Sequence, residues 1–536
     1  MEQKNNRVKN IIIRLGLTFL ASILFAASFP NIIFINGLSF LAWFAYIPIL
    51  IVIRKENLLS CAGYGAIYGL VAYSLFNYWL AKFHPLAGTI VYSIYLVYLG
   101  LVFVFLKLAL ILFPKRGYLV QWVIWLAYEY LRTKGFLGYS YGITGYSQWR
   151  MIPLIQIASV TGVWGVSALV TFPSFWLAEA YNNLKLPDLK NSFAAFFRKE
   201  KISAILWFAA LVSALVFGFI NIKDFSSYPS APIALIQHNT DPWEAANAPS
   251  DWQITQAYRK DLEKLTRLSD KALSSAPKPA LVVWSETAFV PRIYWHTTYR
   301  EDQNSWLIVK ELLEYLSSKD VPFLIGNDDG RKDSAKNRVD YNAALLFENG
   351  VNTAAYRKLH LVPFTEYFPY KKQFPFIYKW LEKADTHFWE KGSEETVFSL
   401  QGFTFSAPIC FEDTFGYLSK NFARRGADVL VNLSNDAWSK SLPSQYQHLA
   451  MAVFRAAENY RPMVRATSSG QTCAIDPNGR ITVMAPPFTE IALNVTVPLV
   501  KKTSIYTLYG DYPLIFLVFL SAALLICKAV WCTIKQ

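Results

Sequence analysis

The sequence predicts a multi-span α-helical membrane protein carrying one inserted extracytoplasmic α/β domain, and three observations predict it. The chain has 536 residues, 53% of them hydrophobic and only 17% charged, whereas about 25% of a soluble domain is charged. Its long apolar runs fill roughly the first 220 residues and the last 25, while the middle reads as an ordinary soluble domain. Basic residues gather in short clusters beside the apolar runs, as membrane orientation signals do.

A crossing helix needs about 20 mainly apolar residues. Spans are read at 10–28, 33–53, 58–80, 88–113, 118–132, 154–181, 202–221 and 512–532. Pro48 interrupts the second, and the fifth is short and ends in Glu129 and Arg132. The first has the composition of a signal peptide, but more spans follow it without a convincing cleavage site, so it is read as a retained helix. Lys4, Arg7, Lys9 and Arg14 stand at span one and Arg54 and Lys55 follow span two. Lys115 and Arg116 follow span four, Lys185, Lys190, Arg198, Lys199 and Lys201 follow span six, and Lys528 and Lys535 close the chain. With eight spans all of these fall on one side, the cytoplasmic side, and residues 222–511 lie outside. The expected partition is a membrane region of seven helices over 1–224, a catalytic domain over 225–505, and an eighth helix with a cytoplasmic end over 506–536.

The net charge of +14 is accounted for by these clusters. No aromatic–basic stripe, zinc-ligand spacing or glycine-rich phosphate loop accompanies it, so no nucleic-acid partner, metal or cofactor is expected. Five cysteines, with Cys61, Cys527 and Cys532 in or near apolar spans, make no disulfide framework. A Cys410–Cys473 bridge is the one alternative, and it would consume the thiol that matters below.

From Ala231 onward strands alternate with helices. Strands are expected at 233–237, 280–284, 322–325, 343–347, 403–409, 429–433 and 464–467, and amphipathic helices near 252–274, 303–318, 415–425 and 443–460. Such alternation indicates an α/β domain. The charged stretch Asp329–Asp340, which lacks a run of apolar residues, is expected to be a mobile loop.

Three segments deliver reactive groups where a strand gives way to a loop. Val282-Val283-Trp284-Ser285-Glu286-Thr287 ends in a carboxylate beside an indole, and partial burial there would suit it to general base and acid work. Alone, the segment reads more readily as a solvated loop glutamate. Tyr356-Arg357-Lys358-Leu359-His360 sets a lysine among apolar residues, where its fixed charge would stabilise an oxyanion; a surface lysine is the plainer reading of that segment. Ala407-Pro408-Ile409-Cys410-Phe411-Glu412-Asp413 ends a strand in a cysteine. Beside a lysine that thiol is expected to have a depressed pKa, although a small buried core residue is the commonest fate of a free cysteine.

The order Glu286, Lys358, Cys410 and the flanking sequences resemble the nitrilase superfamily, which implies an αββα sandwich and a Glu–Lys–Cys triad. The run Lys358–Tyr367 (Lys-Leu-His-Leu-Val-Pro-Phe-Thr-Glu-Tyr), Asn435-Asp436-Ala437-Trp438, the helix from His448 to Arg455 and Gly145-Tyr146-Ser147-Gln148 are together similar to the apolipoprotein N-acyltransferase family. That resemblance implies Glu286 as base, Lys358 as oxyanion stabiliser and Cys410 as nucleophile, with Glu366 and Glu412 as supporting carboxylates and Asn342 lining the site. Trp243 and Trp438 match substrate-contacting positions, Trp252 competing for the first. The chain departs from the family at Phe411, where a tyrosine is common, and at Ser439-Lys440, where Phe-Gly is common; these bear on donor preference and loop closure.

The implied reaction passes a fatty acyl chain from a phospholipid, phosphatidylethanolamine by expectation, to Cys410 as a thioester. From there it passes to the α-amine of a diacylglyceryl apolipoprotein. The implied setting is the bacterial inner membrane, multi-pass, with the catalytic domain in the periplasm and a monomer in the lipid bilayer. Rival readings are a membrane-anchored nitrilase-type amidase with water as acceptor, a non-catalytic scaffold or transporter, and a thiol hydrolase with His360 or His448 as base.

Overall fold

The computed structural model describes residues 2–83, 85–240, 250–383 and 388–534. It divides into two compact units, Met1–Ile222 with Ser441–Ala450 and Tyr509–Gln536, and Lys223–Lys440 with Met451–Leu508.

In the first unit, six helices among the described residues are long and apolar enough to cross a membrane: Asn5–Ser28, Leu58–Phe76, Ala87–Leu112, Val163–Asn183, Leu189–Asn221 and Tyr512–Cys532. They coincide with six of the eight expected spans, and the other two are shorter helices. The run 33–53 becomes a 3₁₀ turn, Ser39–Trp43, and a nine-residue helix, Ile47–Lys55, that opens at Pro48. Proline is at home in a first helical turn and foreign to a helix interior, so the helix starts there instead of running through. The run 118–132 becomes Gly117–Leu131, 15 residues long. It ends where Glu129 turns its carboxylate to the Thr144 N–H at 3.0 Å and Arg132 donates to the Tyr141 carbonyl at 2.9 Å.

Among its described residues the second unit holds twelve strands: β1 (Ser230–Gln237), β2 (Leu281–Trp284), β3 (Phe323–Lys332), β4 (Arg338–Glu348), β5 (Val351–Arg357), β6 (Val397–Leu400), β7 (Phe403–Ser406), β8 (Val429–Ser434), β9 (Met463–Thr467), β10 (Cys473–Ile475), β11 (Ile481–Met484) and β12 (Ile491–Pro498). They form two six-stranded mixed sheets, ordered β12-β1-β2-β3-β4-β5 and β11-β10-β9-β8-β7-β6. Parallel pairing runs through β1-β2-β3 and β7-β8-β9. There β2 and β8 are buried at every residue, as parallel strands covered on both faces are. Helices Asp251–Leu273 and Gln303–Ser317 lay Leu262, Leu265, Leu268, Ile308 and Leu312 into one core with Trp284 and Ile325.

The expected loop at Asp329–Asp340 is largely strand. β3 and β4 stay paired from Phe323↔Phe347 to Lys332↔Arg338, leaving only 333–337 as the turn. The charged residues are satisfied without an apolar face: Asp329 pairs with Arg331 and Arg357, and Asp340 with Arg292 and Arg338.

Candidate active site

The three sequence-predicted reactive groups converge, each carried just beyond a strand end in the second unit. Glu286 lies two residues past β2 and is only 6% exposed. Its Oε1 accepts from Asn342 Nδ2 at 2.8 Å and from Lys358 Nζ at 3.3 Å, and its Oε2 accepts from the Asn435 backbone N–H at 3.0 Å. The glutamate turn can approach β3 this closely because residue 326 is glycine: a Cβ there would stand 2.1 Å from the Ser285 carbonyl oxygen and 2.8 Å from Glu286 Cα.

Lys358 is the first residue beyond β5 and is wholly buried. Its N–H donates to the Asn342 carbonyl at 2.8 Å, and its Nζ donates to Glu366 Oε1 at 2.8 Å as well as to Glu286. Burial by itself would push the ammonium's pKa down, but the carboxylates of Glu366 and Glu286 overcome it and hold the lysine well above its usual value. It is therefore a permanent cation. Burial pushes the Glu366 carboxyl up against the opposing pull of Lys358. Glu366 also accepts the Val362 N–H at 2.9 Å, pinning the loop that follows the lysine.

Cys410 opens the short 3₁₀ helix Cys410–Thr414 with a left-handed backbone, φ 49°, a conformation that non-glycine residues adopt at a cost and that clusters at functional sites. Its thiol is free, as is that of buried Cys473. The expectation of a depressed thiol pKa is overturned. Burial, with the Glu286 carboxylate next, pushes the thiol well above its ordinary value, and the Lys358 charge offsets this only in part. Cys410 therefore rests as a thiol, and the largest charge acting on it is the carboxylate already held beside the lysine.

Glu412 links the loops that carry Lys358 and Cys410. Its Oε1 accepts the N–H groups of Leu359 at 2.7 Å and His360 at 2.9 Å, its Oε2 accepts the Ile409 N–H at 2.7 Å, and the Tyr356 hydroxyl reaches both oxygens at 2.8 Å. One buried carboxylate thus ties the lysine's strand end to the residue before the cysteine. Burial pushes its pKa up to about 7. The folded chain therefore holds this proton more tightly than the unfolded chain, where a glutamate sits at about 4.3. The stabilisation is present below that value and is lost as pH rises through about 7. Between about pH 5 and about pH 8 the thermal midpoint should fall with rising pH, and fall less steeply in Glu412→Gln. Equal slopes in a fluorimetric melting series would remove Glu412 as the titrating group.

His360 belongs to packing. Its ring lies 3.7 Å from that of Phe415 and its Nδ1 is 3.1 Å from the Tyr417 hydroxyl. Phe411, the departure noted above, packs edge-on to Phe415 at 5.0 Å. His360→Ala should keep activity within about fivefold, whereas loss of the only base costs about 10²-fold or more. A loss on that larger scale, read as the acylation rate, would favour a Cys–His hydrolase.

Trp243 lies outside the described residues. Trp438 falls in the short turn Ala437–Ser439, but its side chain is also outside them. Lys440 carries a left-handed backbone, φ 43°, which glycine would adopt without strain. Sequence reasoning missed the Asn435 N–H, since a backbone donor has no side-chain signature. It also missed Gly326, although a glycine inside a strand is a signal of close backbone approach.

Residues 233–505 match the family model described as carbon-nitrogen hydrolase, and residues 21–176 match the apolipoprotein N-acyltransferase N-terminal domain. The chain is 44% identical over 519 residues to apolipoprotein N-acyltransferase 1 of Treponema denticola, with 93% of each chain covered. It is 45% identical over 516 residues to apolipoprotein N-acyltransferase 1 of Treponema pallidum, again with 93% of each covered.

Proposed function

The chain belongs to the apolipoprotein N-acyltransferase family, and from that premise we propose that Cys410, Glu286 and Lys358 transfer a fatty acyl chain from a phospholipid to the N-terminal amine of a lipoprotein. The observation that carries this reading is the single buried cluster in which the Glu286 carboxylate is held by Lys358, Asn342 and Asn435 while its charge acts on the Cys410 thiol.

The reaction runs in two halves. Glu286 takes the Cys410 proton, and the thiolate adds to the sn-1 ester carbonyl of the donor, phosphatidylethanolamine in this reading. The charge that develops on the carbonyl oxygen is stabilised by the Lys358 ammonium. The C–O bond breaks, the leaving alkoxide takes the proton from Glu286, and lysophospholipid departs from a Cys410 thioester. The free α-amine of an S-diacylglyceryl cysteine then attacks the thioester. Glu286 accepts the amine proton and returns it to the departing sulfur, leaving an amide. Asn342, Glu366 and Glu412 hold these groups in place, and Trp243 and Trp438 are substrate contacts.

The domains in this reading are 1–224, 225–505 and 506–536, with a monomer as the working unit. The setting is the bacterial inner membrane with the catalytic domain on the periplasmic face. With seven helices before the domain and one after it, the basic clusters at 4–14, 54–55, 115–116, 185–201 and 528–535 share the cytoplasmic side and 222–511 lies on the outer side.

Purified enzyme given phospholipid and a diacylated lipopeptide should convert it to the triacylated form, read by mass spectrometry as the gain of one acyl chain, and Cys410→Ala should not. Release of free fatty acid with no amide product would support the amidase reading instead.

A further inference from the structure

Arg465 occupies the middle of β9, paired in register with Asn432 on one side and Cys473 on the other, and none of its surface is exposed. Its guanidinium has two carboxylate partners. Nη1 donates to Asp413 Oδ2, and Nη2 lies 3.3 Å from Asp436 Oδ2. Asp413 belongs to the 3₁₀ helix that Cys410 opens. Asp436 directly follows Asn435, the residue whose N–H holds Glu286 Oε2.

Asp436 is confined from other directions as well. Its Oδ1 accepts the Ser434 hydroxyl at 3.2 Å, and a Cβ on Gly470 would stand 2.8 Å from its own Cβ. Asp413 and Asp436 are both buried, and buried carboxylates require a charge partner. The guanidinium meets each carboxylate through a different nitrogen of one rigid plane, a fixed two-point geometry that the single nitrogen of a lysine does not reproduce.

We infer that Arg465 is a positioning residue that clamps the nucleophile's turn to the turn holding the base, so that Cys410 and Glu286 keep their mutual placement through both half-reactions. The inference rests on the triad reading above. Loosening the clamp displaces the Asn435 N–H from Glu286 and the Cys410 turn from its strand together. Two perturbations of one unit do not multiply.

The test measures single-turnover acylation of Cys410 by labelled phospholipid in the full-length enzyme, with a thermal midpoint for each variant. Arg465→Lys should slow acylation about 30-fold or more, and Glu286→Gln alone about 10²-fold or more. Added to Arg465→Lys, Glu286→Gln should cost less than about fivefold further. An arginine serving the fold alone would lower the midpoint and leave the two effects multiplying in full, and that outcome overturns the clamp, as does a normal rate in Arg465→Lys. Should Arg465→Lys fail to fold, Asp436→Asn keeps the side-chain shape and weakens one arm; the same non-multiplying pattern supports the clamp and a normal rate overturns it. A normal rate in Glu286→Gln alone would instead overturn the triad, and the clamp with it.

Discussion

Cys410→Ala is expected to carry no acyl group after incubation with labelled phospholipid, where the wild type carries one that hydroxylamine removes. A thioester is cleaved by hydroxylamine under conditions that spare amides, and no other described group is placed to replace the sulfur. Cys473 is buried and opposite Arg465 in the sheet, and Cys527 and Cys532 lie on the last helix. Removing a nucleophile that acts as part of a unit costs about 10⁴-fold or more, so the product rate should fall to background rather than decline. Label persisting on Cys410→Ala at the wild-type level would defeat the assignment of the nucleophile.

Glu286→Gln is expected to slow acylation by about 10²- to 10⁴-fold, the span of general-base catalysis, while the same change makes Cys410 easier to ionise. These opposite signs follow from the site's electrostatics. The Glu286 carboxylate helps burial to push the thiol up, and Lys358 pulls it down. Glutamine keeps the shape, removes the repulsion and leaves the lysine, so the thiol's pKa must fall. Alkylation by iodoacetamide, followed at the Cys410 peptide by mass spectrometry, should show a wild-type midpoint above the ordinary thiol value of about 8.5 and a lower one in Glu286→Gln. A variant that alkylates at lower pH yet fails to acylate would separate a base that moves a proton during reaction from a preformed thiolate pair. An alkylation midpoint unchanged by the substitution would mean that Glu286 does not face the sulfur.

The two expectations differ in what they needed. That Glu286, Lys358 and Cys410 would act together was legible through the family resemblance of their order and flanking runs, since each segment alone read at least as well as a solvated loop, a surface lysine or a core cysteine. That the thiol is raised was not legible, and the sequence reading had its sign reversed. A lysine near a cysteine in the chain's logic argues for ionisation, but burial and the glutamate outweigh it. Likewise, Asp329–Asp340 lacks the apolar alternation that marks a strand, and pairs Asp340 and Asp329 with Arg292 and Arg357 from other segments instead.

By itself the sequence determined the membrane region, the inserted α/β domain and the strand ends from which the reactive groups project, since hydropathy and side-chain period act over a few residues at a time. Only the tertiary structure decided the Asn435 N–H on Glu286, the space Gly326 leaves for that turn and the double ion pair of Arg465. Each of these joins residues far apart in the chain, and burial, charge and close approach depend on what the fold places next to a group, which no local pattern encodes.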